Sequence, residues 1–134
     1  MKKMKIGIFE GDKINHFIYD KILQQQDKAQ FFLFDNPERG LSLAQNIELD
    51  IVFIDLHFWG QDFSGISILH KLKAICTNKM ITIAITSLLQ DGDLERAFSG
   101  GFGMCMEKPL AFNTIDRLLT QFSKNEMKHA QRND

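Results

Sequence analysis

The sequence lacks long apolar runs and a strong charge of either sign. Its 134 residues carry a net charge of -1. No apolar run approaches the roughly 20 residues that a membrane-spanning helix needs. The basic start, residues 1–5, is not followed by a long apolar region and so does not predict a secretory signal. The small net charge gives no electrostatic reason to expect nucleic acid or membrane as a partner. We expect a soluble, cytoplasmic protein.

Cysteine and proline are also scarce, with two of each. Cys76 and Cys105 fall in an apolar helix and a short strand, without the spacing of metal ligands, so free thiols are favoured over a disulfide. A chain of this length buries a full core without covalent cross-links. We predict one domain over residues 1–123 and a polar C-terminal tail, which frays, over residues 124–134.

Residues 51–56, Ile-Val-Phe-Ile-Asp-Leu, are the most informative stretch of the chain. Four apolar residues run without interruption into Asp55, which is typical of a strand buried on both faces of a parallel sheet. A carboxylate in the middle of such a strand would be costly to desolvate, so Asp55 is expected at the strand's carboxyl end. This stretch alone leaves open whether Asp55 caps the next element or has a function.

Strand-like and helix-like segments alternate along the chain. Apolar runs predict strands over residues 5–9, 30–34, 51–56, 80–86 and 103–106. Apolar residues at helical spacing predict helices over residues 13–26, 38–46, 66–76, 91–99 and 112–123. This (βα)5 pattern predicts an α/β fold with a five-stranded parallel sheet and helices on both faces. Five strands favour the flavodoxin-like order 2-1-3-4-5, whose crevice lies beyond strands 1 and 3.

The first predicted helix has a clear apolar stripe. The stripe comprises Ile14, Phe17, Ile18, Ile22 and Leu23, and it predicts the face that packs on the sheet. Asp12 is the predicted N-cap of this helix.

Polar side chains follow four of the strands, and the fold brings them to one edge of the sheet. They are Glu10, Asp55, Thr86 with Ser87, and Lys108. Carboxylates with waters and phosphate oxygens are the ligands that Mg²⁺ prefers. An aspartate can attack phosphorus to form an acyl phosphate, while a hydroxyl and an ammonium stabilise the phosphoryl oxygens. Each residue alone is weak evidence, because strand ends are often polar.

As a set, these residues resemble the response-regulator receiver domains of two-component signalling. The resemblance covers residues 5–123 and rests on four segments. They are Ile-Gly-Ile-Phe-Glu at 6–10, Asp-Ile-Val-Phe-Ile-Asp-Leu at 50–56, Ile-Thr-Ile-Ala-Ile-Thr-Ser at 81–87 and Glu-Lys-Pro-Leu at 107–110. It implies that Asp55 is the phosphoacceptor, Thr86 the switch hydroxyl and Lys108 the site lysine, followed by a cis peptide bond at Pro109.

The resemblance also implies ligands and partners. Mg²⁺ would be held by Glu10, Asp55 and the backbone carbonyl of His57, with Asp12 as a further candidate. A histidine kinase or phosphotransfer protein would supply the phosphoryl group, and a downstream protein would receive the signal. A homodimer would use the face of the fourth helix, fifth strand and fifth helix. The domain would be no enzyme beyond self-catalysed phosphotransfer and autodephosphorylation.

Three positions depart from the family pattern. The family usually has two adjacent acids after the first strand, but Gly11 stands in the second place and has no ligand atom, so Mg²⁺ binding is expected to be weak. Cys105 stands where the family has an aromatic switch residue. In the loop after Asp55, Trp59 replaces a typical Met-Pro-Gly stretch and is expected to cover the edge of the core.

Two other functions compete with the phosphoacceptor hypothesis. Gly11 and Cys105 favour a degenerate receiver, an adaptor whose action does not need phosphate. A flavodoxin-like electron carrier that binds FMN is the third hypothesis. It would need a hydroxyl- and glycine-rich phosphate loop after the first strand, whereas Glu10 and Asp12 would repel a phosphate there.

Overall fold

A five-stranded parallel sheet forms the centre of the protein, in a computed structural model that describes residues 3–108 and 110–132 and their side chains up to Phe122. The strand order is β2-β1-β3-β4-β5. The strands are β1 (Met4–Phe9), β2 (Ala29–Phe34), β3 (Ile51–Asp55), β4 (Ile81–Thr86) and β5 (Met104–Glu107). All four neighbouring pairs are parallel, so the predicted fold and strand order are confirmed.

Five helices connect and follow the strands. They are α1 (Lys13–Leu23), α2 (Pro37–Ala44), α3 (Ser64–Ile75), α4 (Asp93–Ser99) and α5 (Phe112–Arg132). A short 3₁₀ turn, Phe58–Gly60, lies between β3 and α3. The predicted N-cap of α1 is confirmed, because Oδ1 of Asp12 accepts hydrogen bonds from the amides of Ile14 and Asn15 at 2.8 and 3.0 Å.

The core has one layer on each face of the sheet. Every residue of β3 is buried, and its side chains alternate between the layers, as a strand's period of two requires. Ile51 and Phe53 pack with α1 and α5. Val52 and Ile54 pack with α2, α3 and α4. In the described part of the chain, no helix is long and apolar enough to span a membrane.

The predicted inner face of α1 is right only at its C-terminal end, where Leu23 is buried and Ile22 is half-buried, and it is wrong in the first two turns. Ile14 and Phe17 are 73% and 64% exposed, whereas Tyr19 is completely buried. A second stripe at helical spacing faces the sheet there instead, and it comprises the half-buried His16 and the buried Tyr19 and Leu23. Periodicity identifies a helix with two such stripes but does not decide which stripe meets the sheet.

The last helix is longer than predicted. It continues beyond the predicted end at Ser123 to Arg132, because the following residues are mostly good helix formers without Gly or Pro. The frayed tail is therefore helical up to Arg132, and the limits of the domain stay a prediction. The predicted cis peptide bond involves Pro109, which lies outside the described residues.

Candidate functional site

A cleft of about 710 Å³ lies at the carboxyl ends of β1, β3 and β4. Parallel strands deliver the side chains that follow them to this one edge. Among the predicted site residues, the cleft is lined by Asp12, Asp55, His57, Thr86 and Lys108. Glu10 is fully buried and is joined to the cleft through Lys108.

Asp55 ends β3 and is 8% exposed. Its Oδ1 accepts a hydrogen bond of 3.1 Å from the amide of His57, and its Oδ2 accepts one of 3.0 Å from Nζ of Lys108. A cap would bond to the amides of a helix that follows it, but Asp55 bonds to a loop amide and to a buried cation. These contacts favour a functional carboxylate over a capping role.

Lys108 joins the two carboxylates. Its Nζ lies 2.7 Å from Oε1 of Glu10 and 3.0 Å from Oδ2 of Asp55. The backbone amide of Lys108 donates to the carbonyl of Thr86 at 2.7 Å, which fixes the residue at the end of β5. Burial alone would lower the pKa of Lys108, but its hydrogen bonds to Glu10 and Asp55 outweigh burial and raise that pKa. Lys108 is therefore held as an ammonium ion.

For Glu10, burial affects the pKa more than the contact with Lys108 does. Burial raises the pKa of its carboxyl group, and the attraction of Lys108 only partly opposes this effect. Oε2 of Glu10 is buried without a hydrogen-bond partner among the described residues. Burial, and next the negative charge of Glu10, raise the pKa of the Tyr19 hydroxyl on α1. The buried acid therefore keeps one oxygen free to accept a donor or a cation.

Thr86 ends β4 and lines the same cleft, with its side chain 2% exposed. Its Oγ1 donates a long hydrogen bond of 3.4 Å to the carbonyl of Leu88. Ser87 is exposed and also lines the cleft. A weakly bonded hydroxyl can rotate toward a ligand beside Asp55 at little cost.

No family model matches the chain, and no curated protein matches its sequence. Solved structures do match its fold. The receiver domain of a DNA-binding response regulator from Colwellia psychrerythraea 34H is 28% identical, with a TM-score of 0.73 over 91% of this chain and 99% of that chain.

The receiver domain of a sensor histidine kinase from Pseudomonas aeruginosa PAO1, solved with magnesium in its active-site cleft, is 19% identical, with a TM-score of 0.73 over 90% of this chain and 97% of that chain. The receiver domain of Ssk1 from Saccharomyces cerevisiae, solved with the histidine phosphotransfer protein Ypd1, is 18% identical, with a TM-score of 0.69 over 88% of this chain and 87% of that chain. This chain has the fold of a response-regulator receiver domain.

The receiver cleft of this chain offers few ligands for a divalent cation. No group of three or more His, Cys, Asp or Glu side chains among the described residues is arranged to hold a metal ion. Asp12 lines the cleft, but its Oδ1 caps α1, and the carbonyl of His57 already accepts from the amide of Gly60 at 2.9 Å. The unpartnered oxygen of Glu10 and the carboxylate of Asp55 fit a hard cation that keeps several waters.

Gly65 supports the end of β3, a role that the sequence did not reveal. Its amide donates to the carbonyl of Leu56 at 2.9 Å. A Cβ at this position would overlap the carbonyl oxygen of Asp55 and lie 2.9 Å from Cα of Leu56. The first turn of α3 can therefore approach the end of β3 this closely only because residue 65 is glycine.

A chain of contacts leads from Asp55 to α4. His57, whose amide donates to Asp55, accepts a hydrogen bond of 3.0 Å at Nδ1 from the amide of Phe63. The rings of His57 and Phe63 meet edge to face at 4.7 Å, and the guanidinium of Arg96 lies 3.6 Å from the centre of the Phe63 ring. This route connects the cleft to α4 without Cys105, which is a partly buried free thiol in β5.

Proposed function

We propose that this chain is a receiver domain of two-component signalling that accepts a phosphoryl group on Asp55. The observation that carries the proposal is the placement of Asp55 at the end of a buried strand, in an open cleft, with the Lys108 ammonium 3.0 Å away. A carboxylate that only stabilises the fold does not require both an open cleft and a buried cation beside it.

The chemistry follows from these groups. An oxygen of Asp55 attacks the phosphorus of a phosphohistidine, the bond from phosphorus to the donor's nitrogen breaks, and an acyl phosphate forms. The ammonium of Lys108 and the hydroxyl of Thr86 then neutralise and hydrogen-bond the transferred oxygens. The product signals by protein contact, so the domain turns over no substrate beyond its own phosphorylation and autodephosphorylation.

Mg²⁺ is the expected cofactor, since the similar receiver domain from Pseudomonas aeruginosa was solved with magnesium in its active-site cleft. Glu10, Asp55 and the carbonyl of His57 are the residues that would hold it. When bound, the cation would neutralise the charge that accumulates between the carboxylate and the incoming phosphoryl group. Two carboxylates and one shared carbonyl make a weak site.

The first test is incubation with acetyl phosphate, with and without Mg²⁺, followed by intact-mass measurement. We expect a Mg²⁺-dependent gain of one phosphoryl group in the wild type and none in Asp55→Asn. Asp62→Asn is the matched control, because Asp62 is an exposed acid that lines the same cleft. Loss of the gain in both variants, or its persistence in Asp55→Asn, would contradict the assignment of Asp55.

The apolar stripe exposed on α1 supports a protein as the phosphoryl donor. Ile14, Phe17 and Ile18 are 73%, 64% and 36% exposed, and α1 starts directly after the cleft residues Gly11 and Asp12. An apolar surface of this kind marks a protein contact site. The yeast Ssk1 receiver domain, which has a similar fold, was solved with a histidine phosphotransfer protein. We infer that such a protein, or the equivalent domain of a histidine kinase in the cytoplasm, docks on this stripe.

Phe17→Glu tests this docking. It should slow phosphotransfer from a panel of phosphorylated histidine phosphotransfer proteins without changing the reaction with acetyl phosphate. Leu43→Glu, at a half-exposed position on α2, is the control. Equal rates for both variants with every protein donor would argue against α1 as the docking face.

The degenerate receiver is the second candidate, and Gly11 is the observation that favours it. A folded protein that gains no phosphoryl group from acetyl phosphate or any phosphorylated partner would support this adaptor. The downstream partner and the homodimer through α4, β5 and α5 stay predictions. Leu94 and Phe98 of α4 are exposed. Flavin absorbance of the purified protein would support the FMN carrier; we expect none.

A further inference from the structure

The indole ring of Trp59 fills the space beside Gly11. A Cβ on Gly11 would lie 2.5 Å from Nε1 of Trp59 and 3.0 Å from Cε1 of Phe58. The first separation is far shorter than any real contact between a Cβ and a ring atom, and the second is tighter than most such contacts. The two positions therefore exclude each other: a side chain at residue 11 and the indole in its present place do not fit together.

The indole is held in this place by its backbone and by Phe58. Trp59 has φ 57° and ψ 30°, the left-handed region that a bulky residue rarely adopts and that costs about 1 kcal/mol or more. Its ring meets the buried Phe58 ring edge to face at 5.2 Å, although the side chain of Trp59 is 57% exposed. A strained backbone persists only where the surrounding structure holds it, and the buried Phe58 ring is part of that structure.

Gly11 stands beside the acids of the cleft. It directly follows the buried acid Glu10, and it lines the same cleft as Asp55 and Trp59. A carboxylate on residue 11 would add a third negative ligand to a site that has two, and the affinity of an oxygen site for a divalent cation rises with its number of charged ligands.

We propose that Trp59 determines the cation affinity of this cleft by occupying the place of a third carboxylate at residue 11. Gly11 and Trp59 together therefore give the site a low affinity for a divalent cation. Lys108 supplies the permanent positive charge between Glu10 and Asp55. The inference rests on the proposed function only in taking Mg²⁺ as the cation.

The experiment measures Mg²⁺ affinity by titration calorimetry for four proteins beside the wild type. These are Gly11→Asp, Trp59→Asn, the double variant, and Gly103→Asp. Asparagine at 59 tolerates the left-handed backbone. Gly103→Asp is the matched control, because Gly103 precedes β5 at the opposite end of the sheet and a Cβ there would make only an ordinary contact of 3.5 Å.

We expect Gly11→Asp alone to raise the Mg²⁺ affinity by less than about twofold and the double variant to raise it by at least about tenfold. Gly103→Asp and Trp59→Asn should leave it near the wild-type value.

Three results would overturn the proposal. One is an equal gain in Gly11→Asp with and without Trp59→Asn, because the indole would then exclude nothing. Another is a folded double variant without any gain. The third is a double variant that does not fold, since removal of the indole should restore the room for Asp. None of these measurements depends on phosphorylation, so they can be interpreted even if Asp55 is not phosphorylated.

Discussion

The ammonium group of Lys108 lies 2.7 Å from Oε1 of Glu10, and the two side chains are 6% and 0% exposed. Removing one partner of such a buried pair leaves an uncompensated charge in the protein interior. We expect Lys108→Met to lower the free energy of unfolding by about 3 kcal/mol at pH 7 without Mg²⁺, measured by urea denaturation. Lys28→Ala, which breaks the exposed Lys28–Asp116 pair of 2.8 Å, is the control and should cost much less. Similar losses in both would contradict the buried-pair argument.

The buried carboxyl group of Glu10 predicts a pH dependence of stability. Burial raises its pKa above the ordinary value of 4.5, so the folded state binds this proton more tightly than the unfolded chain does. The resulting stabilisation is complete below pH 4.5 and is lost as the pH rises through the raised pKa. The wild type should therefore lose stability relative to Glu10→Gln as the pH rises above 4.5 through the raised pKa, in urea titrations with EDTA. A difference that stays constant or changes in the other direction would show that the folded state does not raise this pKa.

The close approach of α3 to β3 predicts an unusual sensitivity at Gly65. Gly65→Ala should lower the free energy of unfolding by about 2 kcal/mol, because the new Cβ would overlap the carbonyl oxygen of Asp55. It should also shift the amide NMR signals of Asp55 and His57. Gly103→Ala is the matched control, with room for its Cβ, and should change stability little. Equal effects of the two substitutions would mean that α3 adjusts without cost.

The contact between Arg96 and Phe63 joins α4 to the loop after Asp55, and we expect it to contribute to stability. Arg96→Ala should lower the free energy of unfolding by about 1 kcal/mol, since a guanidinium 3.6 Å from a ring centre is at the favourable end of this interaction. Lys21→Ala removes the longer contact of 5.4 Å on the exposed Phe17 ring and should cost less. A larger loss for Lys21→Ala in thermal denaturation would reverse this ranking.

The sequence alone determined the fold. The unbroken apolar run of β3 needs cover on both faces, and the alternation of strands with helices along the chain indicates a parallel sheet between two layers of helices. Successive side chains of a strand point to opposite faces, which assigns Ile51 and Phe53 to one layer and Val52 and Ile54 to the other. Strand-end residues such as Asp55 and Lys108 then reach a common edge because parallel strands end together. These properties are local or periodic, so they can be recognised in a linear chain.

Only the tertiary structure decided how the residues at that edge contact one another. In the sequence, Gly11 indicates only a missing metal ligand. In the fold, the lack of a side chain at Gly11 leaves the space that the Trp59 indole fills. The stripe of α1 that contains Phe17 reads as core, but Tyr19 on the other stripe faces the sheet. Both outcomes depend on the volumes of side chains that are distant in sequence. Periodicity determines which residues share a surface, and close packing determines what that surface meets.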